Sequence, residues 1–369
     1  MSQHFLLLEV ISTHAHQTQA AENMVELTML VDTYGGKILE QSTQHRVHPD
    51  SNTYIGAGKV EWLKERVKEL EIDVVVLNDI VKAGQIFRLE KELWSVNPRI
   101  KVWDRVDLIL SIFDAHATSR EAKLQIKLAM IDHLGPRAYG LGGALLSRQS
   151  AGVGTRGKGE TNIEIERRRS RRDRQRLVAE LEKVSGQQRE QMLQRKAKGV
   201  FTIALVGYTS AGKTSLFNLL TKKNKVAHHS LFTTLDSITG RMNPRNGTHP
   251  IIISDTIGFI RDLPPELIQT FRSTLAESIE AHVLLEVLDI ADAHYREKHE
   301  IVLDILSSLG ANGTLITVAN KIDLLSKTER TRFLKSWNGP VPLLVSTTTG
   351  EGVPQLRERI SAELDAAFG

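Results

Sequence analysis

Residues Gly207–Ser215 read GYTSAGKTS and directly follow the apolar run Phe201–Val206 (FTIALV). The spacing G-x-x-x-x-G-K-[ST] after an apolar strand is typical of a loop that binds phosphate groups. The two glycines of this spacing let the backbone pass close to an anion, so the loop N–H groups point at phosphate oxygens. Lys213 adds a positive charge for the outer phosphates, and the Thr214 hydroxyl can ligate Mg²⁺. The helix that we expect to begin near Lys213 directs its positive end at the same anion.

A glycine-rich turn can also be a tight turn without a ligand, and the pattern alone occurs by chance. Here the pattern is followed by Ser215–Leu220 (SLFNLL), which has the composition of a helix, so the required strand–loop–helix context is present. We therefore predict that a nucleotide binds through Gly207, Tyr208, Thr209, Ser210, Ala211, Gly212, Lys213, Thr214 and Ser215.

The length and composition indicate a globular chain of two or three domains. It has 369 residues, of which 41% are hydrophobic and 25% charged, an ordinary balance for a protein with a sizeable core. No apolar stretch reaches the roughly 18 residues that a membrane span needs, and the N-terminus has no signal-peptide cleavage pattern. The absence of cysteine excludes disulfides and cysteine-ligated metals. We expect a cytoplasmic protein without a membrane span.

The net charge of +4 is modest, but much of the positive charge lies in Arg167–Arg176 (RRRSRRDRQR). Such a run is usually a solvated helix face, and Glu164, Glu166 and Asp173 provide partners at helical spacing. The run still has a large surplus of arginine, which favours an anionic partner such as RNA.

Strands and helices alternate in the first part of the chain. Such alternation predicts a small α/β domain with a largely parallel sheet over residues 1–103. Strands are expected at Phe5–Ile11, Lys37–His45, Asp73–Leu77 and Arg99–Trp103, and helices at Ala20–Asp32, Val60–Leu70 and Ala83–Trp94.

The sequence pattern over residues 104–198 predicts a helical hairpin. Arg105–His133 has one continuous helical pattern, which Pro136 ends. A second, charged helix is expected from Thr161 to about Lys198, with Thr161 and Glu164 resembling a capping box. The simplest arrangement is two antiparallel helices joined by a long loop.

That loop, at about residues 136–160, contains the glycine-rich stretch Tyr139–Glu160 (YGLGGALLSRQSAGVGTRGKGE). A loop of this length without secondary structure is uncommon in a compact domain and is usually functional or a linker. Its basic residues stand among glycines, which suits backbone and guanidinium contacts with RNA phosphates. The predicted RNA contacts of the loop and the second helix are Arg148, Arg156, Lys158, Arg167 and Arg168.

Residues 199–369 contain the remaining motifs of a Ras-like P-loop GTPase domain, in order. LFTTLD (231–236) is followed by D-x-x-G at Asp255–Gly258, N-K-x-D at Asn320–Asp323 and the turn Ser346–Thr348. The last three each end an apolar strand. We expect Asp255 to hold Mg²⁺ through water and the Gly258 amide to contact the γ-phosphate. The fold predicted for the whole chain is therefore an α/β domain, a helical hairpin and a GTP-binding domain.

Asp323 favours GTP over ATP. Its carboxylate can accept hydrogen bonds from the N1–H and the exocyclic amine of guanine, whereas adenine offers neither, and an unpaired buried acceptor costs about 1–3 kcal/mol. The predicted contacts with nucleotide or Mg²⁺ outside the phosphate loop are Phe232, Thr233, Thr234, Leu235, Asp236, Asp255, Thr256, Ile257, Gly258, Asn320, Lys321, Ile322, Asp323, Ser346, Thr347 and Thr348. We expect Lys213, Thr234 and Gly258 to be the catalytic residues of a GTP hydrolase.

Phe259 follows the D-x-x-G glycine at a position where many GTPases carry a glutamine that orients the attacking water. A phenyl ring cannot hydrogen-bond to water. We therefore expect slow intrinsic hydrolysis that a partner stimulates.

Further motifs extend along nearly the whole chain, and with GYTSAGKTS, LFTTLD, DTIGF and NKID they make it resemble the HflX family of ribosome-associated GTPases. These motifs are Tyr54–Lys59 (YIGAGK), Val75–Asp79 (VVLND), Asp104-Arg105, His116-Ala117, Glu121–Gln125 (EAKLQ), Ser147–Gln149 (SRQ), Gly154–Gly157 (GTRG), Gly159-Glu160 and Arg167-Arg168.

The resemblance implies binding to the large ribosomal subunit, with the glycine-rich loop near the peptidyl transferase centre. It implies that the protein splits stalled or idle ribosomes in its GTP state under stress. It also implies that Thr214 and Thr234 ligate Mg²⁺ within a first switch at Phe232–Asp236, with Thr233 as the alternative to Thr234. Because the chain ends about twenty residues after Gly350, the resemblance is to a short form without the family's C-terminal domain.

Two other functions remain open on the residues alone. An accessory GTPase for RNA remodelling or ribosome assembly would bind RNA without splitting ribosomes. A regulatory switch would instead bind a protein through the N-terminal domain. In each case we expect a monomer that binds GTP, GDP and Mg²⁺.

Overall fold

The computed structural model describes residues 3–12, 17–133, 156–223, 238–242, 249–256, 258–261, 267–268, 275 and 279–368. The chain divides into two compact units. One comprises Met1–His116 and Leu124–Leu181, and the other Ala117–Lys123 and Glu182–Gly369. In the part of the chain that the structure describes, none of the helices combines the length and the apolar character needed to cross a membrane.

The first unit contains a four-stranded sheet in the order β2-β1-β3-β4, in which every neighbouring pair is parallel. Parallel neighbours need crossover connections, and the three predicted helices supply them. All four residues of the third strand are buried, which explains its continuous apolar sequence. The predicted α/β domain is confirmed. Its strands are β1 (His4–Ser12), β2 (Lys37–Arg46), β3 (Val74–Leu77) and β4 (Lys101–Trp103), and its helices α1 (Gln17–Tyr34), α2 (Ala57–Glu69) and α3 (Ala83–Leu93).

The single helix predicted over Arg105–His133 is wrong, because the structure divides it into α4 (Arg105–His116) and α5 (residues 120–133). The Ser119 hydroxyl accepts a hydrogen bond from the Ala122 N–H at 3.1 Å, which is the geometry of a cap at the start of a new helix. The apolar spacing continues on both sides of the break, so periodicity alone could not show it.

The second helix of the hairpin, α6, extends over Arg156–Ala197. Thr161 therefore lies inside the helix, and the predicted capping box at Thr161 is wrong. Gly157 and Gly159 suggested a loop because glycine disfavours helix by about 1 kcal/mol, but adding residues to a formed helix is far easier than starting one. Residues 136–155 of the predicted loop lie outside the described residues.

Contacts within each unit show how α5 and α6 run. In the first unit the Arg174 guanidinium donates to the Asp132 carboxylate at 2.8 Å. In the second, the Ser185 hydroxyl donates to the Glu121 carboxylate at 3.1 Å. Residue numbers rise along one helix as they fall along the other, so the two helices form the predicted antiparallel hairpin.

The second unit contains a six-stranded sheet in the order β10-β9-β8-β5-β7-β6, parallel except for the edge pair β6–β7. Loops that follow the parallel strands gather at one edge of such a sheet, where α/β proteins bind ligands. The predicted Ras-like fold is confirmed. Its strands are β5 (Phe201–Val206), β6 (Ile238–Met242), β7 (Ile251–Asp255), β8 (Val283–Asp289), β9 (Thr314–Asn320) and β10 (Leu343–Leu344), and its helices α7 (Lys213–Thr221), α8 (Tyr295–Leu309), α9 (Lys327–Ser336) and α10 (Val353–Phe368).

Candidate nucleotide-binding site

The loop between β5 and α7 has a backbone that only glycine permits at two positions. Gly207 has φ 143° and Gly212 has φ 99°, both in the range that side chains disfavour. A Cβ at Gly207 would lie 2.4 Å from the Val287 carbonyl oxygen, and one at Gly212 would lie 2.3 Å from the Asn320 amide nitrogen. The Val287 backbone and the Asn320 side chain therefore leave no room for a Cβ at these two positions. Glycine at both positions lets the loop curve closely around an anion.

Lys213 is buried inside this loop. Its ammonium donates to the carbonyl oxygens of Gly207 at 2.9 Å and Tyr208 at 2.8 Å. Burial lowers the pKa of Lys213 to about 8, against an opposing attraction from Asp255. Two backbone carbonyl oxygens thus hold the Lys213 ammonium inside the loop. An outer phosphate of a bound nucleotide would neutralise its charge there.

The oxygen donors expected for Mg²⁺ lie together beneath the loop. The Thr214 hydroxyl donates to the Asp255 carboxylate at 2.9 Å, and both side chains are buried. Hydroxyl and carboxylate oxygens are the ligands that Mg²⁺ prefers, so these residues fit the ion. The second predicted ligand, Thr234, and its alternative Thr233 lie outside the described residues, as do Phe232, Leu235 and Asp236.

The D-x-x-G segment after β7 is attached to the phosphate loop. The Phe259 N–H donates to the Gly207 carbonyl at 3.0 Å, and the Thr209 N–H donates to the Phe259 carbonyl at 2.8 Å. A Cβ at Gly258 would lie 2.9 Å from the Thr209 methyl group and 3.1 Å from the Thr209 Cα, so any larger residue there would have to displace the phosphate loop. The Phe259 side chain is 1% exposed and belongs to the core. Thr256 donates to a β5 carbonyl at 2.6 Å, whereas Ile257 lies outside the described residues.

Asn320 connects the predicted base-binding loop to the phosphate loop. Its amide donates to the Ala211 carbonyl at 2.8 Å, and its side-chain oxygen accepts the Thr347 N–H at 3.1 Å. Asn320 is fully buried, whereas Asp323, the predicted guanine acceptor, is exposed at the same edge of the sheet. The structure therefore brings Asn320, the phosphate loop and the turn Ser346–Thr348 together.

The predicted RNA contacts are described only in part. Arg148 lies outside the described residues, and so do the side chains of Arg156, Lys158 and Arg167, whose backbone belongs to α6. Arg168 is exposed on the same helix.

Tyr208 makes a contact that the loop pattern did not indicate. Its hydroxyl accepts the Arg261 N–H at 2.8 Å, and the Arg261 guanidinium pairs with Glu297 at 2.8 Å. The Lys298 ammonium lies 4.8 Å from the centre of the Tyr208 ring. Tyr208 therefore links the phosphate loop to the segment after Gly258. The partners are distant in sequence, and no motif predicts them.

Comparison with protein families gives three consecutive matches. Residues 21–114 match a family described as GTP-binding GTPase N-terminal, and residues 116–195 match GTP-binding GTPase Middle Region. Residues 202–321, which contain the phosphate loop, the D-x-x-G segment and Asn320, match a family described as 50S ribosome-binding GTPase.

A solved structure resembles the chain over its full length. It is the crystal structure of SsGBP in complex with GDP, with a TM-score of 0.53 and 23% identity, covering 100% of this chain and 99% of that one. At this level of identity the likeness supports the fold alone.

Curated relatives named GTPase HflX match most of the chain. The Alkalihalophilus pseudofirmus protein is 41% identical over 82% of this chain and 70% of its own length. The Escherichia coli protein is 36% identical over 96% and 84%, and the Methanocaldococcus jannaschii protein 33% identical over 87% and 78%. The chain therefore belongs to the HflX family of GTPases and is a GTP hydrolase that uses Mg²⁺.

Proposed function

We propose that this GTPase binds the large ribosomal subunit in the cytoplasm and, in its GTP state, dissociates stalled or idle ribosomes as a monomer. The observation that carries the proposal is a row of exposed arginines on α6, in a chain whose G domain matches the 50S ribosome-binding GTPases. Arg168, Arg172 and Arg176 recur every four residues and therefore share one face of the helix. Arg169 and Arg171 are exposed beside them.

This surface suits ribosomal RNA rather than a protein groove. Guanidinium groups pair with phosphate oxygens in a planar, bidentate manner, and a helical row of them can follow an RNA backbone. We place Arg148 of the glycine-rich loop on the same RNA, together with Arg156, Lys158, Arg167 and Arg168 of α6. Each phosphate neutralised releases counterions, so binding weakens steeply as salt rises.

Nucleotide state controls the interaction through the segments around the γ-phosphate. The loop N–H groups and the Lys213 ammonium stabilise negative charge on the phosphates. Thr214 and Thr234 would hold Mg²⁺, which would neutralise the phosphate oxygens. The Gly258 amide and the first switch, Phe232–Asp236, contact the γ-phosphate and lose this contact after hydrolysis. Phe259 lies in the core and cannot orient water, so intrinsic turnover is slow and the ribosome stimulates it.

Sedimentation of ribosomes with the protein and a non-hydrolysable GTP analogue tests the proposal. Subunit peaks with the protein on the large subunit support it. Intact ribosomes carrying the protein would indicate an RNA-remodelling or assembly accessory instead, and an unbound protein would indicate a regulatory switch. The same gradient run with GDP should leave ribosomes intact.

Two triple variants that remove the same positive charge distinguish a specific role of the α6 arginines from a general effect of lost charge. Replacement of Arg168, Arg172 and Arg176 by alanine should abolish the subunit peaks while GTP binding remains. Replacement of Arg332, Lys335 and Arg359, which are exposed on α9 and α10, removes the same charge and should leave splitting intact. Equal loss in both variants would contradict the role of α6.

A further inference from the structure

The carboxylate that ends β8 lies against the lysine of the N-K-x-D motif. Asp289 Oδ2 is 2.6 Å from the Lys321 ammonium, and the two side chains are 22% and 32% exposed. Asp289 belongs to none of the nucleotide-binding motifs. It stands opposite Asn320 in the parallel pairing of β8 with β9, so the sheet register brings it to the base-binding loop.

The Asp289 carboxylate is held in place by a hydrogen bond that is independent of its ion pair with Lys321. Its other oxygen accepts the Ala291 N–H at 3.1 Å. The next residue, Ile290, donates its N–H to the Asn320 carbonyl at 3.3 Å. Backbone and side chain of this turn are therefore both attached to the N-K-x-D segment, and the carboxylate cannot swing away without breaking a local hydrogen bond.

Two properties of Lys321 favour a partner that holds its side chain in one orientation. Its φ of 65° is in the left-handed region, which is uncommon for a long side chain and persists where the surroundings impose it. A lysine side chain has a large rotamer entropy, which an unanchored residue loses when it orders against a ligand. Because Asn320 precedes it and Asp323 follows two residues later, the Lys321 stem lies at the guanine edge of the site.

We propose that Asp289 is a positioning residue of the guanine site, which holds the Lys321 stem where it covers the plane of the base. Asp289 does not touch the base edge, so it improves affinity without choosing between bases. Its effect is pre-organisation: the lysine is ordered before the nucleotide arrives, and binding does not have to order it.

The test is an isosteric substitution with a matched control. Asp289→Asn should weaken binding of GDP and GTP by up to about tenfold, the upper end of what it costs to order one flexible side chain on binding. Glu363→Gln is the control, because Glu363 is 20% exposed and pairs with Arg359 at 2.7 Å on α10. The control should bind nucleotide as the natural protein does.

Three further readouts separate positioning from a structural role. In Asp289→Asn the KM for GTP should rise while kcat stays constant, because a base contact is equal in the ground and transition states. The preference for GTP over XTP should not change. The double variant Asp289→Asn with Lys321→Met should bind as weakly as Lys321→Met alone.

Unchanged affinity in Asp289→Asn would overturn the proposal. Losses that multiply in the double variant would also overturn it, because Asp289 would then act independently of Lys321. A lower kcat with an unchanged KM would assign the effect to folding or to the hydrolysis step, against a positioning role at the base.

Discussion

The side-chain amide of Asn320 donates a 2.8 Å hydrogen bond to the Ala211 carbonyl, in the middle of the phosphate loop. Its oxygen accepts the Thr347 N–H at 3.1 Å. One fully buried side chain thus joins the phosphate loop to the N-K-x-D segment and to the turn Ser346–Thr348. We therefore expect Asn320 to couple the binding of the phosphates to the binding of the base.

Replacement of Asn320 by alanine should disrupt both ends of the site. The Ala211 carbonyl and the Thr347 N–H would each lose a buried partner, at about 1–3 kcal/mol for each group left unpaired. We expect loss of most GDP affinity and a lower unfolding midpoint, measured by fluorescent-nucleotide titration and urea denaturation. Asn312→Ala, at an exposed position before β9, should change neither quantity, and equal effects of the two substitutions would contradict the account.

Replacement of Asp323 by asparagine should exchange guanine for xanthine preference. The carboxylate accepts hydrogen bonds from the guanine N1–H and exocyclic amine, whereas an amide can donate a hydrogen bond to the carbonyl that xanthine carries in place of that amine. Competition titrations with GDP and XDP should show GDP weakened by at least tenfold and XDP strengthened. If GDP remains preferred, Asp323 is not the residue that recognises the base.

The alternation of strands and helices and the places of the phosphate loop, the D-x-x-G segment and the N-K-x-D segment at strand ends were predictable, because each motif pairs an apolar run with a fixed polar spacing. The order of the strands in the sheets and the edge strand β6 were not predicted. The contacts of Tyr208 with Arg261 and of Asp289 with Lys321 were not. They join residues that are distant in the chain, and they depend on sheet register rather than on local pattern. The break at Ser119 was missed because the apolar stripe continues through it.

In the nucleotide-free protein, the buried Lys213 ammonium should lower the free energy of unfolding below about pH 8. Its pKa of about 8 lies under the ordinary 10.5 because burial disfavours the charged form. The unfolded chain then binds more protons between these values, so the stability cost is fully present below about pH 8 and falls as pH rises above it. In urea unfolding, Lys213→Met should be more stable than the natural protein at pH 7, with a difference that shrinks by pH 9.5. A constant difference would contradict the buried charge.

The charged form of His133 should stabilise the folded protein at low pH and lose this effect as pH rises, whereas the cost of burying Lys213 falls as pH rises. His133 lies 3.1 Å from Asp104 and 3.4 Å from Asp107. Burial alone would lower the pKa of His133, but the two carboxylates outweigh it and raise the pKa from 6.5 to about 9. The stabilisation is therefore complete below pH 6.5 and is lost as pH rises through about 9.

We expect His133→Asn to unfold at lower urea than the natural protein at pH 6. The difference should be about 1–3 kcal/mol and should disappear by pH 10. His48→Asn, at an exposed position, serves as the control and should show no such window. A His133→Asn deficit that persists unchanged at pH 10 would show that packing, and not the charge, accounts for it.

The central claim is tested most directly by light scattering of intact ribosomes mixed with the protein. With a non-hydrolysable GTP analogue, scattering should fall as subunits separate, and with GDP it should stay constant. The Lys213→Ala variant should leave it constant with either nucleotide. Constant scattering with the analogue, or an equal fall with GDP, would contradict a GTPase that couples its nucleotide state to ribosome dissociation.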